Sequence, residues 1–175
     1  LGYYGFGLDL MPDLGYPEQA NATDVNRFEW VQNTISHNTV MVDKTKQTAM
    51  WDGTPRHYDD SGMVQLIDVE APKAYPQTEL YRRTSAMIKV DEANSYMVDF
   101  FRVKGGSDHH FSFHAAEGPV TTEGLDLVAQ PTGTYAGPDV PFGQRPANDS
   151  VSGSGYTGPG FHWLKNVERD NDPSG

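Results

Sequence analysis

Short apolar runs, each broken by turn residues, set the pattern along most of this chain. Thr39-Val40-Met41-Val42 is a β-prone run, and Met63 to Val69 (MVQLIDV) is another. Arg83 to Val90 (RTSAMIKV) alternates in part. Ser95 to Val103 (SYMVDFFRV) is the strongest strand, and the pattern resumes at Phe111 to His114 after the turn Gly105-Gly106. Short strands separated by turn signals predict an antiparallel sandwich or barrel. No helical period is sustained over ten or more residues, so long amphipathic helices are not expected.

Both ends of the chain read differently. Residues 1–33 open with LGYYGFGLDLMPDLGYPEQA, a Gly-, Tyr- and Pro-rich stretch without period, which reads as an ordered loop or junction with no local core. Residues 34–175 form the expected β-sandwich domain. After Glu117 the strand signal weakens, and residues 130–160 read as long loops rich in Gly, Pro, Ser and Asp, of the kind that is usually functional or poorly ordered. The chain begins at Leu1 and ends on the polar run ERDNDPSG without closing an element. This suggests a portion of a larger protein with an incomplete C-terminal edge.

Composition narrows the classes. The 175 residues include 20 aromatic side chains, enough for a core, and carry a formal charge of −11. That balance argues against a general nucleic-acid binder, which needs a basic footprint. There is no cysteine, hence no disulfide framework, thiolate zinc finger or cysteine nucleophile. No stretch approaches the ~20 apolar residues of a membrane span, and no signal-peptide pattern is visible. Two sequons, at Asn21 and Asn148, matter only in a glycosylating cell.

Candidate chemistry centres on six histidines. His37, at the mouth of a predicted strand, can donate to an anionic substrate or shuttle a proton; the plainer reading is a ring bonded to nearby backbone. In DHHFSFHAAEG, a regular strand places His110, Ser112 and His114 on one face, with His109, Phe111 and Phe113 facing the presumed core. Two histidines on a polar face can ligate a metal with a third ligand such as Asp68, although the spacing matches no standard zinc signature. Tyr75 is a candidate acid or base beside Arg82 and Arg83, or a packed loop aromatic. The two arginines can bind carboxylates or sulfates through their forks, but adjacent strand residues point to opposite faces, and local salt bridges are the alternative. There is no phosphate-binding glycine loop and no G-x-S-x-G elbow.

Four blocks then carry a resemblance: MPDLGYPE, EWVQNTISHNTVMVDKTKQ, AYPQTELYRRTSAMI and YMVDFFRVKGGSDHHFSFH. In order and spacing, over roughly residues 8–117, they resemble the heparinase II/III-like polysaccharide lyases, with TISHNTVMVD the most specific. The resemblance implies a mainly β, antiparallel β-sandwich that belongs to a larger protein with an N-terminal (α/α) toroid. It implies β-elimination on a uronate-containing polysaccharide, with preorganised donors neutralising the uronate carboxylate. His37 matches the family's sandwich-edge histidine, assigned to carboxylate neutralisation or proton transfer, and Tyr75 is similar in position to a loop tyrosine that contacts substrate or assists proton transfer. The family's main catalytic tyrosine and its Asn/His partners lie in the toroid, so this chain alone is expected to be inactive and to need a toroid domain or chain. A structural zinc is implied for some members; Asp68 with His109 or His110 match two ligands, and the first falls on His37 or on Thr39. A secreted or periplasmic location is also implied. The acidic charge tilts the expected substrate from highly sulfated heparin towards alginate-like or less sulfated uronates, although net charge does not fix the potential of a cleft. The competing readings are a non-catalytic carbohydrate-binding sandwich, with Trp51, Tyr58 and Trp163 stacking on sugars, and a purely structural sandwich.

Overall fold

The computed structural model describes residues 3–19, 21–49, 51–149 and 151–173, so Leu1 and Ser150 of the second sequon lie outside the described residues. The chain is mainly β, with antiparallel ladders. It divides into two compact units, one of residues 1–46 with 110–175 and one of residues 47–109. The expected boundary at 33/34 falls inside the first of these.

The second unit is one four-stranded sheet. Its strands are β4 (Thr54–Asp59), β5 (Val64–Glu70), β6 (Thr78–Lys89) and β7 (Ser95–Gly105), in the order β4-β5-β6-β7. The expected strands at 63–69, 83–90 and 95–103 are all present, and β6 extends the second of them back to Thr78. Pairing of β6 with β7 accounts for the extension, because Leu80 and Tyr81 lie opposite Lys104 and Val103. β4 has no apolar alternation, and all six of its residues are exposed. It is an edge strand, and its Pro55 is tolerated at the register shift between Pro55 and His57.

At the far end of β7, Gly105 has φ +100, and a Cβ there would lie 2.5 Å from the Gln77 carbonyl oxygen. Only glycine lets these backbones approach so closely. Beside this end a small aromatic core forms. The Tyr81 ring lies 5.3 Å from Tyr75 and 4.9 Å from Phe101, both within the range of favourable aromatic pairs.

The first unit is held by short ladders and loops. β1 (Tyr4–Gly5) pairs with β2 (Leu8–Asp9), β3 (Val40–Val42) with β8 (His109–Phe111), and β9 (Val128–Ala129) with β10 (Glu168–Arg169). Helical structure among the described residues is limited to short turns, at Arg27–Val31, Thr34–Ser36, Gly153–Gly155 and Phe161–Trp163. The core gathers Ile35, Met41 and Phe161, with Trp30, Tyr135 and Leu164 packed against them. Met41 and Val42 are fully enclosed, each contributing on the order of 1.5–3 kcal/mol through removal from water.

The polarity of the 110–114 segment is reversed from expectation. Phe111 and Phe113 are 55% and 58% exposed, whereas Ser112 is buried. The reason is a carbonyl that needs donors. Ser112 Oγ donates to the Ile35 carbonyl oxygen at 2.6 Å, and His114 Nε2 lies 2.7 Å from the same oxygen. Asn38 Oδ1 accepts from the His114 amide at 2.6 Å. Turning this face inward supplies the buried Ile35 carbonyl with donors, a group that is costly to leave without partners.

Candidate functional site

The segment around His37 is built by local capping and then pinned by distant contacts. Asn33 caps the turn Thr34–Ser36, its side chain accepting from the Ile35 amide. The Asn33 side-chain amide also donates to the Gly158 carbonyl at 3.0 Å, and Ser36 Oγ donates to the Asn33 carbonyl at 2.9 Å. Ile35 is anchored in the core. His37 follows in an extended conformation with its amide on the Thr34 carbonyl, so the chain turns outward at this residue.

His37 Nδ1 meets Asp13 Oδ2 at 2.7 Å, with side-chain exposures of 32% and 39%. Asp13 is itself fixed, because its Oδ1 accepts from the Gly15 amide at 3.1 Å. Desolvation opposes ionisation of Asp13, but the hydrogen bonds from His37 and Gly15 outweigh it and hold the carboxyl below its ordinary value. In the neutral ring, a proton on Nδ1 donated to Asp13 leaves Nε2 as the acceptor; in the imidazolium, Nε2–H becomes a donor. A carboxylate-oriented imidazole at the surface is therefore equipped to take a proton or to donate to an anion.

The same unit also holds a buried cluster of polar and charged side chains. Glu29 and His162 are each 1% exposed, and Glu29 Oε2 lies 2.9 Å from His162 Nε2. Arg145 Nε approaches Glu29 Oε1 at 3.2 Å, while Arg145 Nη1 donates to the carbonyls of Asp149 and Val151 at 2.7 and 2.8 Å. Gly160, at φ +70, lets the 158–162 segment close over Glu29; a Cβ there would sit 2.6 Å from the Glu29 carbonyl oxygen. Burial pushes the nearby Tyr156 hydroxyl well above its ordinary value. That hydroxyl accepts from the Gly160 amide at 3.0 Å.

The other expected site residues fall as follows. Tyr75 is 1% exposed with its ring against Tyr81, the surroundings of a packed aromatic. Arg82 and Arg83 do point to opposite faces of the sheet, and each closes its fork on a neighbouring carboxylate. Arg82 donates to Asp68 through Nε and Nη2 at 2.8 and 2.5 Å. Arg83 donates to Asp99 through Nε and Nη2 at 2.8 and 3.0 Å, and Ser85 Oγ adds a bond at 2.7 Å. The Arg82 hydrogen bonds hold the Asp68 carboxyl down at about 2 against desolvation, with Arg82's charge, Thr84 and Arg102 adding to the effect.

The residues suggested for zinc each have other partners in this structure. Both Asp68 oxygens serve Arg82, His109 Nε2 lies 2.8 Å from the Gly105 carbonyl, and the His110 ring packs 5.2 Å from Phe161. Among the described residues, no group of three or more His, Asp or Glu is arranged to hold a metal ion. Trp163, expected to be an exposed sugar platform, is half-buried and packs edge-on to Phe142 at 5.4 Å.

Asp13, Glu29, Arg145 and His162 received no role from the sequence. Asp13 lies within MPDLGYPE and Glu29 opens EWVQNTISHN, so each sat in a recognisable block, but their partners lie 24 and 133 residues away. In comparisons with known proteins, no family model matches the chain and no curated protein matches it.

Proposed function

We propose that this chain is the junction and β-sandwich portion of a polysaccharide lyase that cleaves a uronate-containing polysaccharide by β-elimination, alongside an (α/α) toroid. The observation that carries the reading is the His37–Asp13 pair, a surface imidazole held by a carboxylate at 2.7 Å within the block TISHNTVMVD. The antiparallel β architecture supports it as well.

In this reaction a base removes the C5 proton of the uronate and the C4–O4 bond breaks. The electron pair forms C4=C5, and an acid returns a proton to the leaving oxygen. Negative charge develops on the uronate carboxylate, so a donor placed there stabilises the transition state. His37 fits either the donor or the proton-transfer role through Nε2. Tyr75 takes part only if substrate binding uncovers its hydroxyl. The carboxylate-binding role of Arg82 and Arg83 requires each to release its own carboxylate or to use an N–H group left over.

The test is a panel of uronate polysaccharides incubated with the full-length protein that carries this chain, following the ultraviolet absorbance of the new C4=C5 bond. His37→Ala is expected to reduce turnover by about a hundredfold or more. Unchanged turnover in that variant would overturn the site assignment, and absence of product on every uronate would overturn the lyase reading. Tyr75→Phe with normal turnover assigns Tyr75 to packing.

One observation favours a second reading. Trp51 and Tyr58 are both exposed in the sheet unit, Trp51 fully so, and exposed aromatic rings are suited to stacking on sugars. A non-catalytic carbohydrate-binding module would bind saccharide without forming unsaturated product.

A further inference from the structure

The first unit contains a cleft that the His37 reading does not use. It encloses about 640 Å³ and is lined by Lys44, His110, Tyr135, Asp149, Tyr156 and Arg169, among others, with Phe161 and His162 also in its wall. That volume lies within the range of small-molecule sites. The chain as a whole carries −11, yet the charged side chains in this wall are two cations, Lys44 and Arg169, against the single carboxylate Asp149.

Both cations are placed by the fold. The Arg169 guanidinium lies 4.6 Å over the Tyr135 ring. It donates through Nη1 to Gln130 Oε1 at 2.6 Å and through Nη2 to the Tyr135 carbonyl at 3.1 Å. Those two bonds use two of the five N–H groups of a guanidinium, so a held fork keeps donors for a ligand. Lys44 sits in a tight turn closed by the Val42–Thr45 bridge, with φ +55, next to Asp43 at φ +53. Left-handed backbone at a lysine is uncommon. The turn keeps this lysine on the cleft wall where glycine or asparagine would be the relaxed choice.

The geometry points to a second binding site, in which Arg169 and Lys44 receive the carboxylate of an acidic sugar residue and the cleft's Asn148 and Asp149 face its hydroxyls. The sugar class rests on the proposed lyase reading; recognition of the anion rests on the cleft alone. The site lies apart from His37, which is not in its wall, so it serves to hold a uronate unit and not to break its bonds.

The test is calorimetric titration of the full chain with sodium D-glucuronate, with D-glucose and inorganic phosphate as comparators. Saturable glucuronate binding, with glucose at least about tenfold weaker, is expected, because a charge-assisted hydrogen bond is worth about 1.5–3 kcal/mol. Lys44→Gly removes the amine while relaxing the turn, and Arg169→Lys keeps the charge while removing the fork. Each is expected to weaken glucuronate binding by about tenfold, with an unchanged circular dichroism spectrum. Equal binding by glucose, tighter binding of phosphate, unaltered affinity in the two variants, or no glucuronate binding at all would each overturn the site. The lyase assay is read separately. Glucuronate binding without unsaturated product from the full-length protein would sink the reaction and leave the cleft standing. Product with unaltered affinity in the variants would do the reverse.

Discussion

Asp13 and His37 lie 24 residues apart in sequence, and Asp13 Oδ2 meets His37 Nδ1 at 2.7 Å. This contact joins the irregular opening segment to the turn that precedes β3. It gives the imidazole an orientation that the turn alone does not supply, because a side chain at the end of a one-turn helix otherwise has free rotamers.

The first prediction concerns that contact. Asp13→Asn in the full-length protein is expected to lower kcat on a uronate polysaccharide by about tenfold or more while KM changes little, since a positioning group acts on the reacting geometry and not on remote binding. The denaturation midpoint should stay close to wild type, because the pair is part-exposed and such pairs contribute about 0–1 kcal/mol. Equal losses in stability and in kcat would assign Asp13 to folding.

Glu29 presents the opposite case. It is buried against His162 and approached by Arg145, so removal of its charge leaves the Arg145 guanidinium without its counter-charge and the His162 ring with a weaker partner. Glu29→Gln should destabilise the protein by about 3 kcal/mol or more, read from urea unfolding monitored by tryptophan fluorescence. A midpoint that does not move would show that the cluster is solvated in solution.

Acid titration should expose the Asp68–Arg82 pair. The folded carboxyl sits at about 2, below the unfolded value of ~3.9. Its stabilising contribution is therefore complete above the unfolded value and is lost as pH falls through about 2. Stability measured between pH ~4 and ~2 should decline less steeply in Asp68→Asn than in wild type. Identical slopes would remove Asp68 from the account of acid sensitivity.

The strands in the sheet unit were readable because their signal is local. Met63 to Val69 and Ser95 to Val103 combine β-branched and aromatic residues with flanking turn residues, and the ladders β5 and β7 fall on them. The separation of Arg82 and Arg83 onto two faces was readable for the same reason, since strand geometry alone imposes it. β4 was not readable. TPRHYD has a proline, no apolar alternation and six exposed residues, and pairing with β5 makes it a strand.

Period two states that neighbours alternate; it does not state which set turns inward. At 111–114 the choice was made by the buried Ile35 carbonyl, which drew Ser112 and His114 inward and left Phe111 and Phe113 exposed. Sequence also marked His37 as a chemical candidate, because residue type and local turn chemistry are written at the position itself. Its carboxylate partner was not marked, nor was the Glu29–His162 pair, nor the wall shared by Lys44 and Arg169. Those depend on chain segments brought together across 24, 133 and 125 residues. Propensity acts between near neighbours, whereas these contacts exist only once packing of Ile35, Met41 and Phe161 has closed the loops between them.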